Sequence, residues 1–435
     1  MPELPADPEL RLLLAEARGA EHSNEWREAA CVYLDAVETH PESAELALRA
    51  ANALWLSDQP EEALVLYQRA SFLASESPAP LMGVGNCLRD LNRFEAADRA
   101  FRASRTLLDS PEVACNHASL LIGLEAYDEA FALAERRFEL PGAGPSPNGG
   151  VAAVLAGAAL LRVRSEQGLG DGLQYLRWIP SLQHHAASRG QSVVLEVEQT
   201  LVALLQEGLA WLPTPPAVRT RPEGSTGDGV VSLLSLPAVL GGAPCPQPPG
   251  PDGRGTYLRG LGGAAADPGD GDGRRPRIGL TWASGRKLST GFTLREYRKR
   301  SLPAPALQRL VEGVVALGAE PVLLQQGEDR EMALPLKPLV ADEIEPHGDL
   351  LATARVLATT DLLITVDTAM AHLAGAMGHP AWVLLPFSAD PRWLRERDDS
   401  PWYPSLRLFR QRPERDWSPV VEAVLLALTQ RFRRR

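Results

Sequence analysis

The chain is poor in the residues that build metal centres, disulfide scaffolds and nucleic-acid interfaces. Cysteine is scarce: Cys31, Cys87, Cys115 and Cys245 form no Cys-x-x-Cys pair and have no regularly spaced histidine partners. Neither a zinc framework nor a disulfide scaffold is expected from that pattern. An excess of positive charge is missing too, with 44 Lys and Arg against 55 Asp and Glu and a formal net charge of -11. Nucleic-acid binders carry a basic footprint, and only the terminal Arg431-Phe-Arg-Arg-Arg435 offers one, so nucleic acid is not an expected partner. No apolar run is long enough to span a bilayer. Met1-Pro-Glu-Leu-Pro-Ala-Asp7 is acidic and lacks the basic-then-apolar order of a secretory leader, so a cytoplasmic location is expected. What is present is the balance of a folded protein, 45% hydrophobic and 23% charged over 435 residues. That length calls for more than one domain.

The first third repeats. Ala29-x3-Tyr33-x2-Ala36 returns as Ala63-x3-Tyr67-x2-Ala70 and as Ala97-x3-Phe101-x2-Ser104, with a weaker copy from Ala130 and Ala134. Spacings of four and three put these side chains on one helical face, where alanines let a neighbouring helix approach closely. Prolines at 41, 78, 111 and 141 close the units. The pattern resembles the tetratricopeptide repeat over roughly residues 8–141, although the Trp-Leu-Gly part of the first helix is degenerate. The array is expected to serve either as a packing or dimerisation surface or as a groove for a protein or peptide acceptor; stacking residues do not choose between them.

Gly142–Gly150 is rich in breakers and ends the repeats. Short apolar, β-rich runs then alternate with helical periods, the pattern of parallel βα units. Strands are expected at 160–164, 192–197 and 230–236, with a helix from just after Asp171 toward Ser188. Residues 242–275, dense in Gly and Pro, are expected to form a mobile connection. Further strands are expected at 277–282, 321–325, 362–366, 381–385 and 406–410. The expected architecture is α + α/β: a helical solenoid at 1–141, then two Rossmann-like lobes at 151–242 and 276–435, joined through 243–275. Ligands of such open sheets lie at the carboxyl ends of the strands.

Two loops at such ends carry chemistry. Ser165-Glu166-Gln167-Gly168-Leu-Gly170-Asp171 follows a strand and opens a helix, so backbone amides converge where glycines permit close approach. On position alone, Asp171 is more readily a helix cap than a catalytic base. In the second loop a buried strand ends at Asp367 and a helix starts at once. Thr368 and Ala369 would present N–H groups at its positive end, suited to a diphosphate, and His372 lies one turn inside. An isolated histidine there is more readily a core residue.

Val366-Asp-Thr-Ala-x-Ala-His-Leu-Ala-Gly-Ala-x-Gly-x-Pro380 resembles the donor-binding motif of glycosyltransferase family 9, the bacterial heptosyltransferases. Glu166-Gln-Gly-Leu-Gly-Asp171 is similar to that family's Gly-Asp loop, and Leu385-Pro-Phe387 through Gln411 resembles its repeat-bearing branch. The resemblance covers roughly 160–430 and implies a GT-B fold. It also implies an inverting, metal-independent transferase of hexosyl or heptosyl type, with a nucleotide sugar as substrate and no cofactor. Asp171 would be the base. Glu166, Gln167, Gly168 and Gly170 would form the acceptor loop. Thr281, Ser284, Lys287, Arg300, Asp367, Thr368, Ala369 and His372 would bind the donor and its diphosphate. No Asp-x-Asp lies on an expected strand end; Asp270-Gly-Asp272 falls in the connection. Heptosyltransferases generally lack repeats, so the fused array implies a polypeptide acceptor held by the repeats. The alternative is an inactive relative that serves as an interaction scaffold.

Overall fold

The computed structural model describes residues 8–143, 150–222, 230–242, 244, 255–262, 274–286, 288–345 and 347–432. They form two compact units. One holds Met1–Pro141 with Arg286–Lys299 and Phe387–Arg395, and the other holds Gly142–Gly285, Arg300–Pro386 and Glu396–Arg435.

The first unit is built from helical hairpins: α1 (Pro8–His22) with α2 (Trp26–Thr39), α3 (Ala44–Leu56) with α4 (Pro60–Leu73), α5 (Pro78–Asp90) with α6 (Phe94–Leu107), and α7 (Pro111–Gly123) with α8 (Tyr127–Ala134). This is the two-helix unit of the tetratricopeptide repeat. The periodic alanines Ala29, Ala63, Ala97 and Ala130 are fully buried, as are the rings of Tyr33 and Phe101. Gly83 shows why the small positions must be small: a Cβ there would stand 2.2 Å from Cε1 of Tyr67. Each hairpin turns through one left-handed residue, Asn24, Asp58, Asn92 or Glu125. The amide after it bonds back into the first helix, as in Gln59 N–H to Leu54 O at 2.9 Å.

The second unit is α/β. Its first lobe contains α9 (Gly150–Gly157), β1 (Leu160–Arg164), α10 (Leu169–Tyr175), α11 (Ile179–Ala187), β2 (Ser192–Val197), α12 (Gln199–Gly208), β3 (Ala217–Thr220), β4 (Val230–Ser232) and α13 (Pro237–Leu240). The parallel strands lie in the order β3-β2-β1-β4. The second lobe contains β5 (Arg277–Thr281), α14 (Gly291–Arg300, all but its last residue in the first unit), α15 (Ala304–Ala316), β6 (Glu320–Leu323), β7 (Ala341–Asp342), α16 (Leu350–Ala358), β8 (Leu362–Val366), α17 (Ala369–Met377), β9 (Ala381–Leu385), β10 (Leu406–Arg410) and α18 (Ser418–Phe432). Its order is β10-β9-β8-β5-β6-β7, again parallel. Every residue of β8 and β9 is buried, which explains their unbroken apolar runs. Two Rossmann-like lobes make this the GT-B arrangement. No helix among the described residues is long and apolar enough to cross a membrane.

Three expectations change. The strand from Val230 ends at Ser232 and passes into a 3-10 turn, Leu233–Ser235, ahead of Pro237, whose ring favours a helical first turn. The helix expected after Asp171 starts earlier, at Leu169, and gives way to a second helix at Ile179. Most of the Gly/Pro-rich connection, including Cys245, Asp270 and Asp272, lies outside the described residues, but residues 255–262 are not a loose tether. Tyr257, Leu258 and Leu261 are buried, Tyr257 and Leu258 N–H donate to Ala376 O, and Arg259 N–H donates to Gly208 O. Apolar side chains at three positions outweigh the breaker composition around them.

Candidate functional site

In each sheet the winding direction reverses once, between β1 and β4 and between β5 and β8. Ligands of open α/β sheets bind at the carboxyl ends of strands at such a reversal. Both loops singled out from sequence lie there.

After β1, the Ser165 N–H extends the ladder to Glu196 O at 2.9 Å, and its hydroxyl donates to Glu198 Oε2 at 2.7 Å. Glu166 accepts from the hydroxyl of Ser232, the last residue of β4, so one hydrogen bond bridges the reversal. Gln167 takes a left-handed φ of 65°, which turns the chain toward the extended Gly168 at the cap of α10. Asp171 is the third residue of α10, and its Oδ2 accepts from Gly168 N–H at 3.3 Å. It is therefore not the capping residue itself; it reaches back to the cap, a favoured place for a carboxylate at the positive end of a helix. Beneath this loop Glu196 is fully buried under Arg162, Arg164 and Arg219 at 2.8, 2.6 and 2.6 Å. Burial raises its pKa, the three guanidiniums lower it more, and the result is about 2.

After β5, Thr281 donates across the sheet to Thr365 Oγ1, so its hydroxyl proton is used inside the core. The Trp282 and Ala283 amides both donate to Gln325 Oε1 at 3.0 Å, and Ser284 N–H donates to Ser301 Oγ at 3.3 Å. Ser284 is 2% exposed, and its hydroxyl makes no hydrogen bond among the described residues. A buried hydroxyl without a partner is costly unless a ligand or water meets it. Lys287 lies outside the described residues. The basic run that follows divides. Arg298 is exposed, Lys299 pairs with Glu296 at 2.7 Å in the first unit, and Arg300 approaches Asp367 Oδ2 at 3.7 Å in the second.

After β8, Asp367 is buried and Thr368 caps α17, its hydroxyl accepting from Met370 N–H at 3.3 Å. That cap uses the Met370 amide, and Ala371 N–H donates to Thr368 O at 3.0 Å, so the positive end of α17 opens at Ala369. His372 is buried, with Nδ1 2.9 Å from the Tyr403 hydroxyl. The loops meet at Gly170: a Cβ there would lie 2.9 Å from His372 Cδ2 and 3.6 Å from Ala369 Cα. Only glycine lets α10 pack so closely on α17. Glu166, Gln167, Gly168, Gly170 and Asp171 therefore lie on the loop and helix start that touch the Ala369–His372 turn of α17. Ser284, Arg300, Asp367, Thr368 and Ala369 ring the neighbouring strand ends. Gln325, Ser301, Arg177, Tyr257 and Tyr403, which shape these loops, carry no local sequence signal; the pairing of Trp402-Tyr403 with Arg177 spans more than two hundred residues. Among the described residues no three His, Cys, Asp or Glu side chains gather as a metal site, and Cys31, Cys87 and Cys115 are free thiols.

No protein-family model matches the chain. Protein FlbA of Caulobacter vibrioides is 32% identical over 160 residues, which is 35% of this chain and 25% of that protein. The chain thus spans about a quarter of the length of that relative. Among solved structures, E. coli ADP-heptose lps heptosyltransferase II is similar over 62% of this chain and 97% of its own, at 13% identity and a TM-score of 0.44. Thermobaculum terrenum O-GlcNAc transferase is similar over 99% of this chain and 94% of its own, at 15% identity and a TM-score of 0.34. TTC0263, a tetratricopeptide-repeat protein of Thermus thermophilus, is similar over 32% of this chain and 75% of its own, at 19% identity and a TM-score of 0.28.

Proposed function

We propose that the chain is an inverting, metal-independent glycosyltransferase that moves a sugar from a nucleoside diphosphate to an acceptor hydroxyl, on a polypeptide held by the repeats. The observation that carries this reading is the contact of Gly170 with His372. It sets a carboxylate-bearing helix start against a second helix start of the kind that binds diphosphates. Asp171 takes the proton from the acceptor hydroxyl as the sugar leaves from its other face. Negative charge then grows on the leaving diphosphate, where the positive end of α17 at Ala369, the Ser284 hydroxyl and Arg300 stabilise it in place of a divalent metal. Lys287 adds a cation by its resemblance to the family's basic loop. Nothing in the array itself names the polypeptide; that part rests on the fusion of repeats to a transferase fold.

The test is a thermal-shift series with ADP-, UDP-, GDP- and CMP-sugars, followed by mass-spectrometric detection of sugar on a peptide library. A donor that raises the melting temperature by mass action, with transfer that survives EDTA, supports the reading. Loss of transfer in EDTA refutes metal independence. A second reading, an inactive scaffold, is favoured by the way the Asp171 carboxylate is bonded to Gly168 N–H at 3.3 Å. Binding of a nucleotide sugar with no transfer and no hydrolysis by a well-folded sample would decide for it.

A further inference from the structure

The two helices that carry the candidate chemistry are tied together at both ends, and the second tie comes from the Gly/Pro-rich connection. At their starts, Gly170 of α10 packs on His372 and Ala369 of α17. At their far ends, residues 256–262 run between them as a strap. The Tyr257 hydroxyl donates to Leu173 O of α10 at 2.8 Å, and the Tyr257 and Leu258 amides donate to Ala376 O of α17 at 3.0 and 3.1 Å. Leu173 and Ala376 lie among the last four residues of their helices, whose carbonyls the helix leaves unused. Tyr257 thus bonds one helix through its side chain and the other through its backbone.

The strap is anchored in each lobe as well. On the first, Arg259 N–H donates to Gly208 O at the end of α12 at 2.9 Å, and Trp211 Nε1–H donates to Tyr257 O at 3.1 Å. The Arg259 guanidinium lies 3.7 Å from the Trp211 ring centre. Gly208 leaves the room that Leu258 fills, since a Cβ there would stand 3.1 Å from Leu258 Cδ2. On the second lobe, Gly262 has a φ of 144° and approaches α16 so closely that a Cβ would stand 2.6 Å from that of Ala358. One turn earlier on α16, Arg355 pairs with Glu207 of α12 at 2.7 Å. Parting the lobes here would expose buried Tyr257, Leu258 and Leu261 and strip these bonds at once.

Building on the transferase reading, we infer that residues 256–262 hold the two lobes as one closed body, and that Tyr257 is a positioning residue for transfer. It sets α10, which carries Asp171, at a fixed distance and angle from the start of α17. Contacts at one end alone would leave the helices free to swivel; contacts at both ends fix angle and separation together. The donor then enters a cleft that is already formed, and no hinge motion is needed to bring the base to the sugar. The groups for the diphosphate, at Ala369, Ser284 and Arg300, all belong to the second lobe, whereas Asp171 belongs to the first. Loosening the strap therefore acts on the rate and spares donor affinity.

Hydrogen exchange of the full native chain without ligand, read by mass spectrometry over peptides covering 255–262, tests the closed body with no turnover. The strap amides are expected to exchange at least about a hundredfold more slowly than those of an unstructured chain. Exchange near the unstructured rate would show a connection that opens and would overturn the inference. Tyr257→Phe supplies the second arm: it keeps the ring and both backbone bonds and removes only the tie to Leu173. Its kcat, taken per binding site titrated by calorimetry so that unfolded protein drops out, is expected to fall about ten- to a hundredfold, the scale of a misplacement of up to an ångström. Its affinity for the nucleotide sugar should stay within about twofold. An unchanged kcat, or an affinity that falls by the same factor as the rate, overturns the positioning role. A slowly exchanging native chain that binds a nucleotide sugar and transfers nothing refutes the transferase reading and the role of Tyr257 in it, while the closed body stands on its exchange.

Discussion

Two aspartates, one in each unit, face arginines of the same helix, α14, and are used differently. In the repeats, Asp90 is 4% exposed and accepts from Arg295 at 2.7 Å and from Trp55 Nε1 at 2.8 Å, while Arg295 also donates to Asp58 at 2.9 Å. Burial raises the Asp90 pKa, but Arg295 and Arg89 outweigh it and hold the carboxyl well below its ordinary range. In the α/β unit, Asp367 is equally buried and Arg300 approaches it at 3.7 Å, while the buried Ser284 hydroxyl after β5 has no partner among the described residues. The first constellation is closed and its geometry complete. The second unit keeps a buried hydroxyl, that of Ser284, unused at a strand end, which is how a binding site differs from a structural ion pair.

That contrast can be broken from either side. On the α/β side, Asp171→Asn should lower transfer by about 10²–10⁴-fold, the usual worth of a positioned base. Donor binding should be unchanged, because the amide oxygen still accepts from Gly168 N–H. Steady-state rates beside calorimetric donor affinity give the answer, and a variant that keeps its rate would remove Asp171 from the chemistry. On the repeat side, Arg295→Met removes the nearer cation from buried Asp90, leaving Arg89 at 3.4 Å, and should cost roughly 3 kcal/mol in urea unfolding. Arg300→Met should cost under about 1 kcal/mol of stability, as expected of a partly exposed charge, and should weaken donor affinity. Equal destabilisation by both substitutions would erase the distinction.

A third closed cluster lies under the candidate site, and pH should open it. The Glu196 carboxyl sits at about 2 against an ordinary 4.5. A depressed carboxylate contributes its full stabilisation above its unfolded value and loses it as pH falls through the folded one. Stability tied to Glu196 should thus be complete above pH 4.5 and decline toward pH 2, by at most about 3 kcal/mol. Glu196→Gln should flatten that part of a urea-derived stability curve. An unchanged slope would mean that the arginines gain nothing from the carboxylate.

The repeats were legible because their function in the fold is local: one 34-residue step fixes which alanine and which ring meet the next helix. Strands β1, β2, β8, β9 and β10 were legible from apolar, β-branched runs set between turn signals. β3 was not, since three of its four residues are exposed and no alternation marks it. Residues 255–262 were misread because composition speaks for the segment, whereas Tyr257 and Leu258 act through partners far along the chain. The grouping of 286–299 and 387–395 with the repeats has the same cause. Arg295 and Arg395 find Asp90 and Glu95 across some two to three hundred positions, and no period records such a pairing. Of the candidate site, the two helix starts were readable as motifs. Their meeting at Gly170 was not.

That meeting supplies the smallest and most discriminating change. Gly170→Ala puts a methyl 2.9 Å from His372 Cδ2, and the nearest backbone atom, Ala369 Cα, is 3.6 Å away, so the imidazole is the group that must move. The ring is held by Tyr403 at 2.9 Å, and its shift strains that bond. Overpacking of this kind costs about 1–3 kcal/mol, and a melting curve would register it modestly. If the contact only packs two helices together, activity should follow the lost stability and recover at lower temperature. If it aligns base, sugar and diphosphate, transfer should fall well beyond the stability loss at every temperature at which the protein is folded, because misplacing reacting groups by a fraction of an ångström raises the barrier even in a folded enzyme.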